Sequence, residues 1–341
     1  MTTNPDKSPI FVVGTGRSGT TLLRMMLNAH SKIYLTHEAS FYLMPVRKKK
    51  PEEWFRLYCK SYSFRLLKIN PDEILKELST MEGQKDKTDA FKATMKCKAR
   101  HYGKSRYGDK TPLNSMHLKK IFSDFEDPRV IHIVRDPRST VASLMRMPWA
   151  ASSISLNSQY CDKQLKKIEP YKDRILEIRL EDLIADPKTL MQKVITFVGE
   201  AWEEQILNYN EVSPTDDLPP FPWFSNAKKK LIKKDNTPAW RKMFSPEWIR
   251  SIENINKTCM ENFNYEKADL DVEPGIFKRV KVRIAEIPAV LTAYYRIIRF
   301  AVHLRPSKNK NPKDAAKALL QLNPDAWAYY PDFVSPDDDI L

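Results

Sequence analysis

Cysteine is scarce in this chain. Four residues in 341, Cys59, Cys97, Cys161 and Cys259, lie far apart with no C-x-x-C pair among them. No histidine stands at metal-ligand spacing, so no metal site is expected and no disulfide framework is available. Acid is in deficit too, 43 Asp and Glu against 57 Lys and Arg, which leaves a net charge of +14. That balance favours anionic partners such as nucleotides, nucleic acid, acidic lipid or anionic substrates, without choosing among them. The opening residues, Met1 to Pro9, are polar and lead straight into a short apolar run, so neither a signal peptide nor an N-terminal anchor is expected. A cytoplasmic location is the simplest expectation. No internal repeat is visible. What is present, 42% hydrophobic residues and 11% aromatic ones over this length, suffices for a full α/β core in one large domain or one domain with an appendage.

The apolar pattern places the elements. Ile10-Phe11-Val12-Val13 is a short β-branched run that stops at Gly14, and Thr20 to Leu27 has helical character. Val130 to Val134 reads as a second strand, followed by Arg135-Asp136-Pro137 and a helical stretch from Ser139 to Met147. Ile175 to Leu180 reads as a third, leading into Glu181-Asp182-Leu183 and a helix from about Pro187. Strands alternating with helices predict a parallel sheet covered on both faces. The stretch from Glu38 to Asp127 reads as helical and charged, forming walls beside the carboxyl edge of the sheet. Residues 211–234, with Pro214, Pro219, Pro220 and Pro222 and the lysines 228–230 and 233–234, read as a long loop. After Tyr265 come a linker at Pro274-Gly275, a basic amphipathic segment 282–304, a Lys/Pro hinge 305–313, and an acidic tail with Asp337-Asp338-Asp339.

Two motifs carry chemistry. In Gly14-Thr15-Gly16-Arg17-Ser18-Gly19-Thr20-Thr21, set between a strand and a helix, backbone N–H groups and the helix N-terminus can converge on an anion of phosphate size. Compared with the nucleotide-triphosphatase loop G-x-x-x-x-G-K-[ST], it keeps both glycines and the hydroxyl of Thr21. Thr20 replaces the lysine, however, and Arg17 supplies the charge. With that lysine missing and no magnesium-binding Asp evident, metal-assisted ATP chemistry is disfavoured. The second motif, Arg135-Asp136-Pro137-Arg138-Ser139-Thr140-Val141-Ala142-Ser143, again follows a strand directly. Arg135 and Ser143 can share one phosphate if the chain folds back at the Asp-Pro turn, while Asp136 could simply cap a helix.

The pairing of G-x-G-R-S-G-T-T-L-L with V-R-D-P-R-S-T-V-A-S-L resembles the PAPS-dependent sulfotransferases, in particular the branch of bacterial enzymes and tyrosylprotein sulfotransferases. The resemblance runs from about Pro9 to Glu266. It also takes in Tyr107-Gly108-Asp109-Lys110-Thr111-Pro112, Glu181 to Pro187, Trp240-Arg241-Lys242 and Asn262-Phe263-Asn264-Tyr265. It implies a P-loop-type parallel β-sheet flanked by helices over 9–266, followed by a C-terminal helical extension, 267–341. It further implies transfer of a sulfuryl group from 3′-phosphoadenosine 5′-phosphosulfate (PAPS) to a hydroxyl or amine. By the same resemblance Arg17, Ser18, Gly19, Thr20 and Thr21 hold the 5′-phosphosulfate, and Arg135 with Ser143 the 3′-phosphate. Lys110 and Arg17 stabilise the transferred group, and Trp240 and Arg241 lie where the family closes a loop over the nucleotide. The acceptor must lose a proton, and Glu38 matches the catalytic glutamate of the tyrosylprotein enzymes. His37 and His30 compete for that role, since an imidazole is a good base near neutral pH and a glutamate needs a partly dry pocket. Where many relatives carry a Tyr before Glu-Asp-Leu, this chain has Leu180.

The acceptor, whether hydroxylated small molecule, lipid, glycan or peptide, is not specified by these residues. Two other classes stay open: a P-loop kinase or nucleotide hydrolase using ATP, and a non-enzymatic anion or nucleic-acid module. No interleaved basic and aromatic platform for nucleic acid is visible, so no nucleic-acid partner is expected. In residues 282–304 the apolar positions recur at helical spacing, but Glu286, Arg296, Arg299 and His303 interrupt them, which disfavours a membrane span. A helix packed on the domain or on a second copy of the chain, or one docked on a membrane surface, is expected instead.

Overall fold

The computed structural model describes residues 8–44, 51–81, 86–215, 218–219, 221–224, 229, 238–271, 273–304 and 319–330. The hinge 305–313, the acidic tail and most of the lysine-rich loop lie outside the described residues. In chain order the elements that position the site are β1 (Ile10–Gly14), α1 (Thr20–Asn28), β2 (Ile33–His37), α2 (Lys87–His101), β3 (Arg106–Lys110), β4 (Arg129–Val134), α3 (Pro137–Leu144), β5 (Leu176–Arg179), α4 (Pro187–Phe197), α5 (Pro246–Ile255), α6 (Ile276–Ala285) and α7 (Ile287–Leu304). Internal packing divides the chain into two units. The first is 1–14, 19–134 and 168–233; the second is 15–18, 135–167 and 234–341.

The first unit is built on a five-stranded sheet in the order β2-β3-β1-β4-β5, with every neighbouring pair parallel. Alternate residues of one strand feed two different cores: Phe11 and Val13 of β1 pack with Tyr34, Phe91 and Phe125, whereas Ile10 and Val12 pack with Leu23, Ile131 and Val194. A strand buried on both faces has no need of polar alternation, which is why β1 reads as an unbroken apolar run and β4 as one interrupted only by His132.

Two strands escaped the sequence reading, and they correct it. β3 lies within the stretch read as helical and charged and β2 just before it, where no strand was assigned; β3, Arg106-Tyr107-Gly108-Asp109-Lys110, has little apolar character although all five residues are buried. Each of its charged side chains finds a partner where it stands, Asp109 through neutral donors. Arg106 pairs with Glu200 at 2.8 Å and donates to the carbonyls of Val198 and Ser8, while Lys110 pairs with Glu38. Paired in this way, buried charges cease to argue against a strand. Gly108 is required here because a Cβ would stand 1.9 Å from the Ile10 carbonyl oxygen of the adjoining strand.

In the second unit α3 opens on Asp136, whose carboxylate accepts from the Arg138 N–H at 2.8 Å, with Pro137 in the first turn. The buried Arg138 guanidinium ties that cap to Glu253 of α5 at 2.6 Å. Asp136 and Arg138 therefore build the segment. The C-terminal residues form two successive helices, α6 and α7, in place of the single segment read from sequence.

Candidate active site

Parallel strands deliver their carboxyl ends to one edge, and in the first unit Glu38 and Lys110 stand there on adjacent strands. His37 and Lys110 are register partners at the ends of β2 and β3. The Glu38 N–H donates to the Lys110 carbonyl at 2.8 Å, and the Lys110 ammonium donates to Glu38 Oε1 at 2.7 Å. Lys110 has no exposed surface, whereas the Glu38 side chain is 40% exposed, so the pair offers its carboxylate outward and keeps its cation dry. Burial holds the Lys110 ammonium below the ordinary lysine range despite the opposing pull of Glu38.

The competing histidines separate clearly. His30 Nδ1 accepts from the Lys32 N–H and its Nε2 bonds the Ala201 carbonyl, both at 3.0 Å, so both ring nitrogens are committed to holding the α1–β2 turn. His37 is buried with the Phe224 ring edge-on at 4.8 Å, and burial, then Lys110 and Arg24, push it well below the usual histidine range. It stays neutral and is a weak base.

What fixes Glu38 is a residue that the sequence reading passed over within the Gly108-Asp109-Lys110 motif. The fully buried Asp109 carboxylate accepts from Thr36 Oγ1 at 2.9 Å, the Ala39 N–H at 3.1 Å and Asn114 Nδ2 at 2.9 Å. Ser40 N–H donates to Thr111 Oγ1, and the Tyr58 hydroxyl donates to the Ala39 carbonyl. This network holds Glu38 and Ser40 in the left-handed region, at φ 50° and 53°. Five non-glycine residues among those described have positive φ, and Arg17, at 74°, is, after Glu38, the second candidate site residue among them. Such conformations persist only where surrounding contacts over-determine them.

The glycine loop ends on Gly19, which caps α1 at φ 101° with no side-chain cap, so the first-turn N–H groups have no side-chain acceptor at that position. A Cβ on Gly19 would meet Leu180 at 2.6 Å, so Leu180 packs on the loop. Thr20 is buried and Thr21 half-buried at the helix start.

In the second unit the two sequence motifs meet. Arg135 Nη1 donates to the Arg17 carbonyl at 3.1 Å, and Arg17 Nε donates to Ser143 Oγ at 3.1 Å. Ser18 is buried, and its N–H closes a turn onto the Thr15 carbonyl. Trp240 is 2% exposed, with the Arg138 and Arg241 guanidinium carbons 4.5 and 4.6 Å from its ring centroid. It is a buried partner of two cations, while Arg241 itself is exposed.

Comparison with known proteins places the family. The model of the sulfotransferase family matches residues 9–204, more than half of the chain. A protein-tyrosine sulfotransferase of Drosophila melanogaster is 24% identical over 260 residues, covering 73% of this chain and 48% of its own length. Protein-tyrosine sulfotransferase A of Caenorhabditis elegans is 24% identical over 222 residues, covering 61% and 54% respectively. The chain thus spans about half the length of these curated relatives. The sulfotransferase domain of the Synechococcus PCC 7002 olefin synthase shares the fold, with a TM-score of 0.51 at 20% identity over 76% of this chain and 96% of that one. By the family match, the parallel sheet and the two strand-end motifs together, the chain belongs to the sulfotransferase family.

Proposed function

We propose that the protein transfers the sulfuryl group of PAPS to a hydroxyl acceptor. The observation that supports this best is the junction of Arg135, Arg17 and Ser143, because a nucleotide phosphorylated at both ends needs its two anion-binding motifs joined. Arg17, Ser18, Gly19, Thr20 and Thr21 hold the 5′-phosphosulfate through backbone N–H groups, hydroxyls and one guanidinium. Arg135 and Ser143 hold the 3′-phosphate, and the exposed Arg241 adds a phosphate contact with Trp240 as its support.

Glu38 takes the proton of the acceptor hydroxyl as the acceptor oxygen bonds to sulfur and the bond from sulfur to the phosphate oxygen breaks. The products are a sulfate ester and the 3′,5′-bisphosphate. Once protonated, Glu38 no longer neutralises Lys110, whose charge then serves the sulfuryl oxygens just as they gain negative charge. Sulfuryl transfer resembles phosphoryl transfer in its in-line, charge-spread transition state, so positioning and cationic stabilisation supply most of the catalysis.

The relatives are named protein-tyrosine sulfotransferases, so tyrosyl peptides are the first acceptors to test, before hydroxylated lipids, glycans and small metabolites. Thermal denaturation with the 3′,5′-bisphosphate, with PAPS and with ATP plus Mg²⁺ tests the reading. Stabilisation by the first two is expected. Stabilisation by ATP plus Mg²⁺ alone would favour a kinase or hydrolase and overturn it.

A further inference from the structure

The second unit carries an apolar stripe that nothing in the proposed chemistry uses. Phe277, Ile284, Leu291 and Ile298 recur every seven residues along α6 and α7, with Ile287 and Tyr294 between them. Ordinarily such a stripe is buried. Here Phe277 is 87% exposed, Ile284 60%, Leu291 64% and Ile298 62%.

The stripe faces outward because the other side of the helix pair is fastened to its own unit. Arg283 Nε donates to Ser251 Oγ of α5 at 2.9 Å, and Ala293 is 1% exposed. The Glu286 carboxylate accepts from the N–H groups of Ile154 and Ser155, and Arg296 Nη1 donates to the Leu322 carbonyl at 3.3 Å. Glu286 is the single acid in residues 276–298, and it is turned inward, whereas that stretch holds five bases. Lys278 and Lys281 are exposed, and Lys281, four residues after Phe277 and three before Ile284, borders the stripe.

We propose that α6 and α7 dock this face on an anionic membrane surface. Charge selects that occupant. Against a second copy of this face, lysine would meet lysine with no outward acid on residues 276–298 to answer it, the nearby Glu247 lying already beside Lys278; against acidic headgroups, each lysine gains a partner while the apolar stripe enters the acyl boundary. Among the described residues no helix is long and apolar enough to cross a membrane, so the pair lies along the surface. The inference is independent of the sulfuryl-transfer reading.

Flotation of the full chain with phosphatidylcholine vesicles, with and without phosphatidylserine, tests it. Binding to the phosphatidylserine vesicles is expected, weakening as salt is raised. F277D/L291D and K278E/K281E, all at exposed positions, should each lower that binding by about tenfold or more, with thermal unfolding and binding of the 3′,5′-bisphosphate unchanged. The proposal is overturned if the wild-type chain does not float, if F277D/L291D floats equally well, or if sedimentation shows a dimer that F277D/L291D dissociates.

Discussion

Lys110 Nζ lies 2.7 Å from Glu38 Oε1, with the lysine wholly buried and the glutamate 40% exposed. A cation and a carboxylate so arranged neutralise each other until a proton arrives on the carboxylate. Glu38→Gln keeps an acceptor for the Lys110 ammonium and a similar shape, but removes the base. Turnover is expected to fall by about 10²- to 10⁴-fold, the usual contribution of a positioned base. The Kd for the 3′,5′-bisphosphate should stay within about twofold, which calorimetry checks. Retained turnover would take the base role from Glu38.

The same burial sets the alkaline side of the pH profile. In its proposed role Lys110 serves only as the ammonium, and desolvation, the largest influence on it, lowers its pKa from the ordinary lysine value. A base with a lowered pKa loses its proton at lower pH, so kcat is expected to fall with rising pH at a point below the ordinary lysine range. Lys110→Arg keeps the charge throughout, and whatever activity it retains should lack that limb. A limb unmoved in this variant assigns the titration to another group.

Arg135 and Ser143 test the nucleotide assignment without touching the chemistry at Glu38. Loss of one charge-assisted contact costs about 1.5–3 kcal/mol, or roughly tenfold to a hundredfold in affinity. Arg135→Ala is therefore expected to weaken the 3′,5′-bisphosphate by about that factor, and to weaken adenosine 5′-phosphate, which has no 3′ group, much less. Equal losses for the two nucleotides would disprove the 3′-phosphate contact.

How much of this was legible in the sequence depended on what each strand had to bury. β1 and β4 were readable because apolar runs ending in a turn residue are the plain signature of a strand covered on both faces, and β5, at the sheet edge, because Leu176 and Ile178 alternate with Glu177 and Arg179. β3 was not, because its side chains are acceptable inside only through partners distant in sequence: Glu200 for Arg106, Thr36 and Asn114 for Asp109, Glu38 for Lys110. Spacing along the chain does not report such partners. Lys110 was reached through the family resemblance alone, and Asp109 beside it was passed over. The direct link from Arg135 to Arg17, by contrast, was foreseeable in kind, since two anion motifs that each follow a strand are both candidates for one ligand. Trp240 is a buried ring with the Arg138 and Arg241 guanidiniums over it, an arrangement that depends on Asp136 and Glu253 fixing Arg138.

Asp109 gives the sharpest test of how Glu38 is placed. Its two oxygens accept from the Thr111, Thr36 and Asn114 side chains and from the Ala39 N–H, the last of which fixes the backbone immediately after the left-handed Glu38. Asp109→Asn replaces one acceptor oxygen by a donor, so at least one of these donors is left facing another donor in a dry site. A buried unsatisfied group costs about 1–3 kcal/mol, and denaturant unfolding is expected to show a loss of that size. Stability alone would not distinguish a positioning role from a packing role. If Asp109 positions the base, kcat falls while the Kd for the 3′,5′-bisphosphate is unchanged, because Thr36, Ala39 and Asn114, which donate to it, are not among the residues proposed to hold the nucleotide. If instead affinity and kcat fall together, in proportion to the fraction unfolded, Asp109 is a structural carboxylate and the geometry of Glu38 has another source.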